Sequence, residues 1–232
     1  MKTLLLSIIV FCFPLIMIGQ IRLFTNNATN SDTLESIVFK EFSKKYDFLM
    51  SYSANSFWCR LRTRNIIIAN KKNKWSLIFY DRFYSEDTSG YIIKSQPIKT
   101  KIYKKRINKR KVNELLLTFD AERIWNFDTD SLSIMGRKIN DSMSTFISMT
   151  HGVSHRFEFI SKDGYRIVEC YNPEGYLKEL PEIVLRQNFI NCIEKFWKVT
   201  NSRKKIPPVT IVLDQQGFST GVNIINFYLL LC

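Results

Sequence analysis

Two pairs of β-rich runs, each joined by a short polar turn, constrain the fold of this chain more than any other feature. The runs at 57–69 and 74–83 are rich in Ile, Phe, Trp and Tyr, and they flank the polar stretch NKKNK. The segment 154–173 alternates aromatic with charged residues and contains a Lys-Asp-Gly turn at 162–164. Strand-forming runs interrupted by Asn, Asp or Gly are typical of β-hairpins. The pattern therefore predicts two antiparallel hairpins.

Amphipathic helical segments separate and follow these hairpins. Apolar residues recur at helical spacing in three segments, 32–50, 108–127 and 180–199. Further strands are predicted near 90–95, at 98–103 and in the apolar stretch that follows the two prolines at 207–208. This order lacks the regular strand–helix–strand rhythm of a parallel sheet. We therefore predict an α+β fold, in which a mainly antiparallel sheet built from hairpins packs with about three long helices.

The first 19 residues have the layout of a secretory signal peptide. Met1 and Lys2 form a positive start, a nearly unbroken apolar segment extends to Ile18, and Gly19 supplies a small residue at the expected cut. We predict cleavage before Gln20 and export to the periplasm, the cell envelope or the exterior. The alternative is an uncleaved anchor that tethers the protein to a membrane, although the apolar segment is shorter than the roughly 20 residues that a span needs.

The chain that follows the leader is long enough for one ordinary domain. Residues 20–31 are polar and rich in Asn, which predicts a linker. Residues 32–232 would then form a single α+β domain. The same length permits two sub-halves, 32–127 and 128–232.

The chain is strongly basic, with a formal net charge of +13. Removing residues 1–19 takes away Lys2 and no acidic residue, so the basicity belongs to the part that folds. In a cytosolic protein this excess would indicate nucleic acid. Because the leader predicts export, nucleic acid is a poor partner, and anionic polymers such as acidic glycans, or anionic lipid head groups, are better ones. Insertion into a membrane is expected only if the N-terminal segment is retained.

Two basic features supply the candidate anion-binding residues. Arg60, Arg62 and Arg64 alternate, so a strand would place them on one face, where guanidinium groups suit sulfate, phosphate or carboxylate. The second feature is the run that leads into the predicted helix: Lys101, Lys104, Lys105, Arg106, Lys109, Arg110 and Lys111. Cations at a helix N-terminus each cost about a few tenths of a kcal/mol, and a bound anion would reverse that sign. The alternatives are the solvated face of a sheet and a charged, soluble loop.

Cysteine usage permits disulfides. Four cysteines follow the predicted leader: Cys59, Cys170, Cys192 and Cys232. An even number in an exported chain is compatible with two disulfides. We predict at least one and favour Cys170–Cys192, which would tie a strand to the following helix; separate buried thiols are the alternative. The spacings match no zinc pattern, and we predict neither a metal nor a cofactor.

Catalytic motifs are weak. The stretch 217–221 fits GxSxG, but no Asp, Glu or His lies between Ser219 and Cys232 to complete the triad in the order that α/β-hydrolases use. His151 and His155 would lie on the same face of a strand about 13 Å apart, at about 3.3 Å per residue, which is too far to share one ion. We therefore expect a binding protein rather than an enzyme. An enzyme whose site is assembled from distant residues is the alternative.

Several pieces of the chain, in this order, resemble a group of uncharacterised, small exported proteins of Gram-negative bacteria. The pieces are the leader ending IGQ, NKKNKWSLIFYD, VNELLLTFDAERIWNF, SKDGYRIVECYNP and a closing amphipathic helix. The resemblance covers about half of the chain. It implies an exported α+β domain and assigns no functional residues. The sequence thus predicts an exported, non-enzymatic binding domain with a basic surface for anionic envelope or glycan partners.

Overall fold

A computed structural model describes most of the segment that we expect to fold. The described residues are 35–56, 61–84, 97–127, 129–140, 143–149, 152–162 and 164–202. The predicted features that lie outside these residues are the signal peptide, the linker, the strand near 90–95, the GxSxG stretch, the apolar tail, Cys59, Arg60, His151 and Cys232.

Six antiparallel strands form the main sheet in the described part of the chain. The eight strands of the described residues, in chain order, are β1 (Phe48–Ser56), β2 (Arg62–Lys71), β3 (Lys74–Phe83), β4 (Lys99–Arg106), β5 (Gly136–Asn140), β6 (Met143–Phe146), β7 (Val153–Ser161) and β8 (Tyr165–Tyr171). The order across the main sheet is β4-β3-β2-β1-β7-β8, and β5 and β6 form a separate pair. Every pairing is antiparallel, which confirms the predicted α+β class and its antiparallel sheet. Because β1 pairs with β7, the sheet contains strands from both predicted sub-halves.

Both predicted hairpins are confirmed. In the first, Lys71 pairs with Lys74, and the two residues between them have φ values of 48° and 61°. A two-residue loop with two positive φ values matches the right-handed twist of the flanking strands, and Asn73 tolerates that conformation well. In the second, the N–H of Ser161 donates to the carbonyl of Gly164 at 2.9 Å. Local turn chemistry therefore determines both connections.

Five α-helices are present among the described residues. They are α1 (Ile37–Phe42), α2 (Lys109–Ala121), α3 (Thr129–Leu132), α4 (Pro173–Glu179) and α5 (Val184–Thr200). The side chain of Asn108 caps α2 by accepting from the N–H of Arg110 at 2.8 Å. Arg123, in the left-handed conformation, follows the end of this helix. None of the described helices is both long enough and apolar enough to cross a membrane.

The predicted helix at 32–50 is wrong over its second half. The α-helix ends at Phe42, and the residues from Phe48 onward belong to β1. Because β1 lies between β2 and β7, its first six residues are buried on both faces, and the sequence shows no clean alternation of apolar and polar residues. Tyr46 and Leu49 only happen to fall at helical spacing. Only α2 and α5 exceed ten residues among the described helices, so the prediction of about three long helices is not confirmed.

An apolar layer lies on each face of the main sheet. On one face, which we call the helical face, the ring of Phe157 lies 5.4 Å from Phe119 of α2 and 5.5 Å from Phe196 of α5. On the opposite face, which we call the α1 face, Phe42 packs edge-on against Tyr80 at 5.4 Å. Successive residues of a strand point to opposite faces. The register of the strands therefore decides which polar side chains share a face.

Candidate anion-binding surface

Three adjacent strands bring parts of the two predicted basic features onto one face of the sheet. Two rows of directly opposed residues cross β2, β3 and β4: Arg64–Asp81–Lys101 and Arg62–Phe83–Lys99. Opposed residues share a face, and Ile66 and Phe79 of the same alternation belong to the apolar layer of the helical face. Lys105 follows the same alternation along β4. We call Arg62, Arg64, Lys99, Lys101 and Lys105 the cationic surface.

A single carboxylate organises the two arginines of this surface. Arg64 binds Asp81 through two hydrogen bonds, from Nε to Oδ1 at 2.6 Å and from Nη2 to Oδ2 at 2.9 Å, and Arg62 Nη2 donates to Oδ2 at 3.0 Å. Burial alone would raise the pKa of the Asp81 carboxyl, but the hydrogen bonds and charges of Arg64 and Arg62 outweigh it and lower the pKa below its usual value. Asp81 is therefore ionised at neutral pH and holds both guanidinium groups in place.

Two aromatic rings connect these arginines to the lysines of the edge strand. Phe83 has the guanidinium of Arg62 at 5.5 Å from its ring centre and the ammonium of Lys101 also at 5.5 Å. Phe79 similarly has Arg64 at 5.8 Å and Lys105 at 5.7 Å. A ring face attracts cations within about 6 Å. Each ring therefore brings an arginine from β2 and a lysine from β4 close together despite their like charges.

The arginines and the edge lysines differ in accessibility. The side chains of Arg62 and Arg64 are only 21% and 19% exposed, and that of Asp81 is 11% exposed. In contrast, all residues of β4 from Lys99 to Lys104 are exposed. Lys99 and Lys101 are therefore the groups of the cationic surface that a partner would meet first. The guanidinium groups of Arg62 and Arg64 are less exposed positive charges, held in fixed positions by Asp81.

The remaining residues of the predicted run lie elsewhere. Lys104 and Arg106 alternate with the lysines of the cationic surface and point to the α1 face, where Lys104 Nζ donates to Tyr46 Oη at 3.0 Å. Lys109, Arg110 and Lys111 occupy the first turn of α2. There Asn108 satisfies one backbone N–H, and the Arg110 side chain lies 3.8 Å from Glu114. The run is thus divided among two faces of the sheet and one helix.

The favoured disulfide is absent. Cys170 and Cys192 are both buried free cysteines, and Cys170 Sγ donates to the carbonyl of Leu132 at 3.7 Å. Burial raises the pKa of Cys170 to about 12 and raises that of Cys192 further. Both thiols therefore act as small core side chains that fill the apolar layer of the helical face. Sequence spacing indicates that strand and helix are neighbours, but it cannot indicate where each side chain points.

A buried histidine lies on β7, in the strand that the sequence predicts. His155 is 1% exposed on the helical face, with its Nδ1 2.7 Å from Tyr52 Oη and its Nε2 3.8 Å from Glu174. Burial lowers the pKa of His155 to about 4, so the imidazole is neutral at pH 7 and the Glu174 contact is not an ion pair there. Its alternation with Phe157 and Phe159 is the only sequence signal that points to the core side of β7.

A buried carboxylate anchors α1 to the opposite face of the sheet. Glu158 accepts from Ser36 Oγ at 2.5 Å and from Tyr165 Oη at 2.8 Å, and it lies 3.2 Å from Arg156. Ser36 also caps α1 by accepting from the N–H of Phe39 at 3.1 Å. Because each partner also belongs to a strand or a helix cap, this network is built to hold α1 on the sheet.

The described residues contain no group of three or more His, Cys, Asp or Glu side chains arranged to hold a metal ion. Comparisons with protein-family models, with curated proteins and with solved structures find no match for this chain.

Proposed function

We propose that this protein is an exported, non-enzymatic binding domain whose cationic surface contacts an anionic partner, in the class of anionic polymers and lipid head groups. The observation that carries this proposal is the arrangement of five cations in alternate positions on one face of β2 and β4, around the carboxylate of Asp81 on the intervening strand β3. The lysines of this surface reach an exposed sheet edge.

The geometry suits attraction by charge more than recognition of one small molecule. Lysine ammonium groups are mobile point charges, whereas arginine forks give directional contacts. Here the directional groups are held by Asp81, and the exposed groups are Lys99 and Lys101. Such a surface accelerates encounter with an anionic partner and binds it in a salt-dependent way.

The burial of two groups that could take part in catalysis, Cys170 and His155, favours binding over catalysis. A nucleophile or a general base must reach its substrate. Cys170 and His155 are each 1% exposed and lie among core aromatic rings. The raised pKa of Cys170 also keeps its thiol protonated at neutral pH.

Titration of purified protein with heparin and with vesicles containing an anionic lipid tests the proposal at several salt concentrations. We expect affinity to fall steadily with salt. The double variant Lys99→Glu/Lys101→Glu should weaken binding by about ten-fold or more at low salt, because each reversal removes an attraction and adds a repulsion.

A matched control distinguishes the effect of charge on the cationic surface from the effect of the net charge of the protein. The double variant Lys178→Glu/Lys198→Glu makes the same change in net charge at exposed positions of α4 and α5. It should retain binding to within about three-fold. Equal losses for both double variants would contradict the assignment to the cationic surface, and wild-type binding by Lys99→Glu/Lys101→Glu would overturn it.

Export has its own test. In protein purified from an envelope or secreted fraction, we expect Gln20 to be the N-terminal residue. Mature protein that begins at Met1 would favour the membrane-tethered alternative, and its recovery only with membranes would establish that alternative.

A further inference from the structure

The backbone of β4 directs alternate polar groups away from the sheet. The two-residue turn makes Lys71 and Lys74 a hydrogen-bonded closing pair, so even-numbered residues of β3 bond to β2 and odd-numbered ones bond to β4. The N–H of Ile107 donates to the carbonyl of Trp75 at 3.4 Å, which fits this phase. Among the described residues no strand pairs with the outer edge of β4, and the N–H and C=O groups that face this edge belong to Thr100, Ile102 and Lys104.

The side chains of this edge differ from one face to the other. On the helical face, β4 presents Lys99, Lys101 and Tyr103, which is 56% exposed. On the α1 face it presents Thr100, Ile102, Lys104 and Arg106, and Ile102 is 58% exposed. In the described part of the chain, the edge thus combines outward-facing N–H and C=O groups, basic side chains on both faces and one exposed β-branched apolar side chain on the α1 face.

We propose that β4 accepts an extended acidic segment of a partner polypeptide as an additional strand of the sheet. This inference rests on the proposed function and names the anionic polymer as a polypeptide. Main-chain hydrogen bonds to Thr100, Ile102 and Lys104 would supply binding energy, as in other cases of strand addition. Acidic residues at every second position would lie beside Lys99 and Lys101, and the intervening positions would pack beside Thr100 and Ile102.

Charge explains why such an edge selects an acidic strand. Lysines on an edge strand repel copies of the same edge and discourage pairing with other basic chains. The same lysines attract a strand that carries carboxylates opposite them. A sulfated glycan also offers negative charge, but it has no backbone N–H and C=O groups that could continue the ladder. The exposed Ile102 likewise suits a peptide side chain better than a glycan.

The first experiment uses a nine-residue peptide that alternates Glu with Thr and Val, added to isotopically labelled protein. We expect the amide hydrogens of Ile102 and Lys104 to gain at least ten-fold protection from exchange at saturating peptide. Those of Lys101 and Tyr103 already bond to β3 and should change little. The control is the same peptide with methylated backbone nitrogens at every second residue, on the edge that would pair, which keeps its charge and should bind at least ten-fold more weakly.

A pair of variants tests the same edge from the protein side. Proline is tolerated where an edge N–H faces solvent, so Ile102→Pro removes an outward donor without removing a hydrogen bond to β3. Ile102→Ala is the matched control, because it removes the same side chain and retains the N–H. We expect peptide binding to fall at least ten-fold more for Ile102→Pro than for Ile102→Ala, while both retain heparin binding.

The outcomes separate the two proposals. Equal binding of methylated and unmodified peptides would overturn strand addition and leave attraction by charge in place, and this arm requires no variant to fold. Absence of binding to the peptide, heparin and anionic vesicles alike would overturn the proposed function together with strand addition. Binding of heparin with no detectable peptide binding would overturn strand addition alone.

Discussion

The two edge strands of the main sheet, β4 and β8, differ in how far their side chains are exposed to solvent. On β8, Val168 and Cys170 are 0% and 1% exposed, and the buried Arg166 donates from Nη2 to the carbonyl of Phe127 at 2.5 Å. On β4, six consecutive residues from Lys99 to Lys104 are exposed. One edge is integrated into the core by its side chains. The other is kept soluble by charge.

This difference indicates which part of the sheet supports the fold and which part is available to a partner. Among the strands, the side chains of the apolar layer on the helical face lie on β1, β7, β8 and the buried parts of β2 and β3. The β4 end contributes ion pairs and cation–ring contacts instead. Substitutions should therefore affect stability strongly near β7 and β8 and affect binding near β4.

The largest expected effect on stability is at the centre of the helical face. Phe157→Ala should lower the free energy of unfolding by about 3 to 5 kcal/mol, because the ring contacts both long helices and its loss leaves a cavity. Tyr103→Ala on β4 should cost less than about 1 kcal/mol. Urea unfolding of both variants checks the contrast, and similar losses would contradict it.

Acid should weaken the covered end of the sheet through His155. Its folded pKa of about 4 lies below the ordinary value of 6.5, so the unfolded chain takes up a proton first as pH falls. The contribution of neutral His155 to the free energy of unfolding is fully present above about pH 6.5 and is lost as pH falls towards 4. Between pH 7 and 4.5, wild type should lose about 2 to 3 kcal/mol more than His155→Gln, which removes this titration. Urea unfolding at both pH values measures these losses, and an equal loss of unfolding free energy in the two proteins would contradict the assignment.

At the β4 end, the strongest polar contribution should come from Asp81. Asp81→Asn should lower the free energy of unfolding by about 2 kcal/mol, because Arg62 and Arg64 lose their ionised partner. The lowered pKa of Asp81 means that this stabilisation is present above about pH 4 and is lost as pH falls further through the folded pKa. Glu114→Gln, which removes an exposed carboxylate 3.8 Å from Arg110 and 3.9 Å from Lys195, is the control and should cost less than about 0.5 kcal/mol.

The smallest effect on stability is expected at the exposed lysines themselves. Replacing Lys99 and Lys101 together with Gln should change the free energy of unfolding by less than about 0.5 kcal/mol, because both are exposed edge residues. Thermal and urea unfolding measure this directly. A loss as large as that of Asp81→Asn would show that the cationic surface serves the fold instead of a partner.

Local patterns predicted much of the fold. Turn residues and β-rich runs located both hairpins, and apolar residues at helical spacing located α2 and α5. These features depend on residues close together in the chain. The central strand β1 was missed because burial on both faces removes the alternation that marks a half-exposed strand.

The candidate site was predictable only in part. Alternation correctly placed Arg62 and Arg64 on one face, but their pairing with Asp81 depends on the register between two strands. The basic run reads as one feature in the sequence, yet β4 divides Lys101 and Lys105 from Lys104. Side-chain direction likewise decided that Cys170 and Cys192 remain free.

By itself, the sequence determined the hairpin turns, the helical spacing of α2 and the excess of positive charge, because each depends on composition or on neighbours within a few residues. The tertiary structure decided the position of β1 between two hairpins, the burial of His155 and the alignment of Arg62, Arg64, Lys99, Lys101 and Lys105 on one face. The physical reason is that strand register and burial are set by pairing between residues far apart in the chain, and no local pattern encodes the partner.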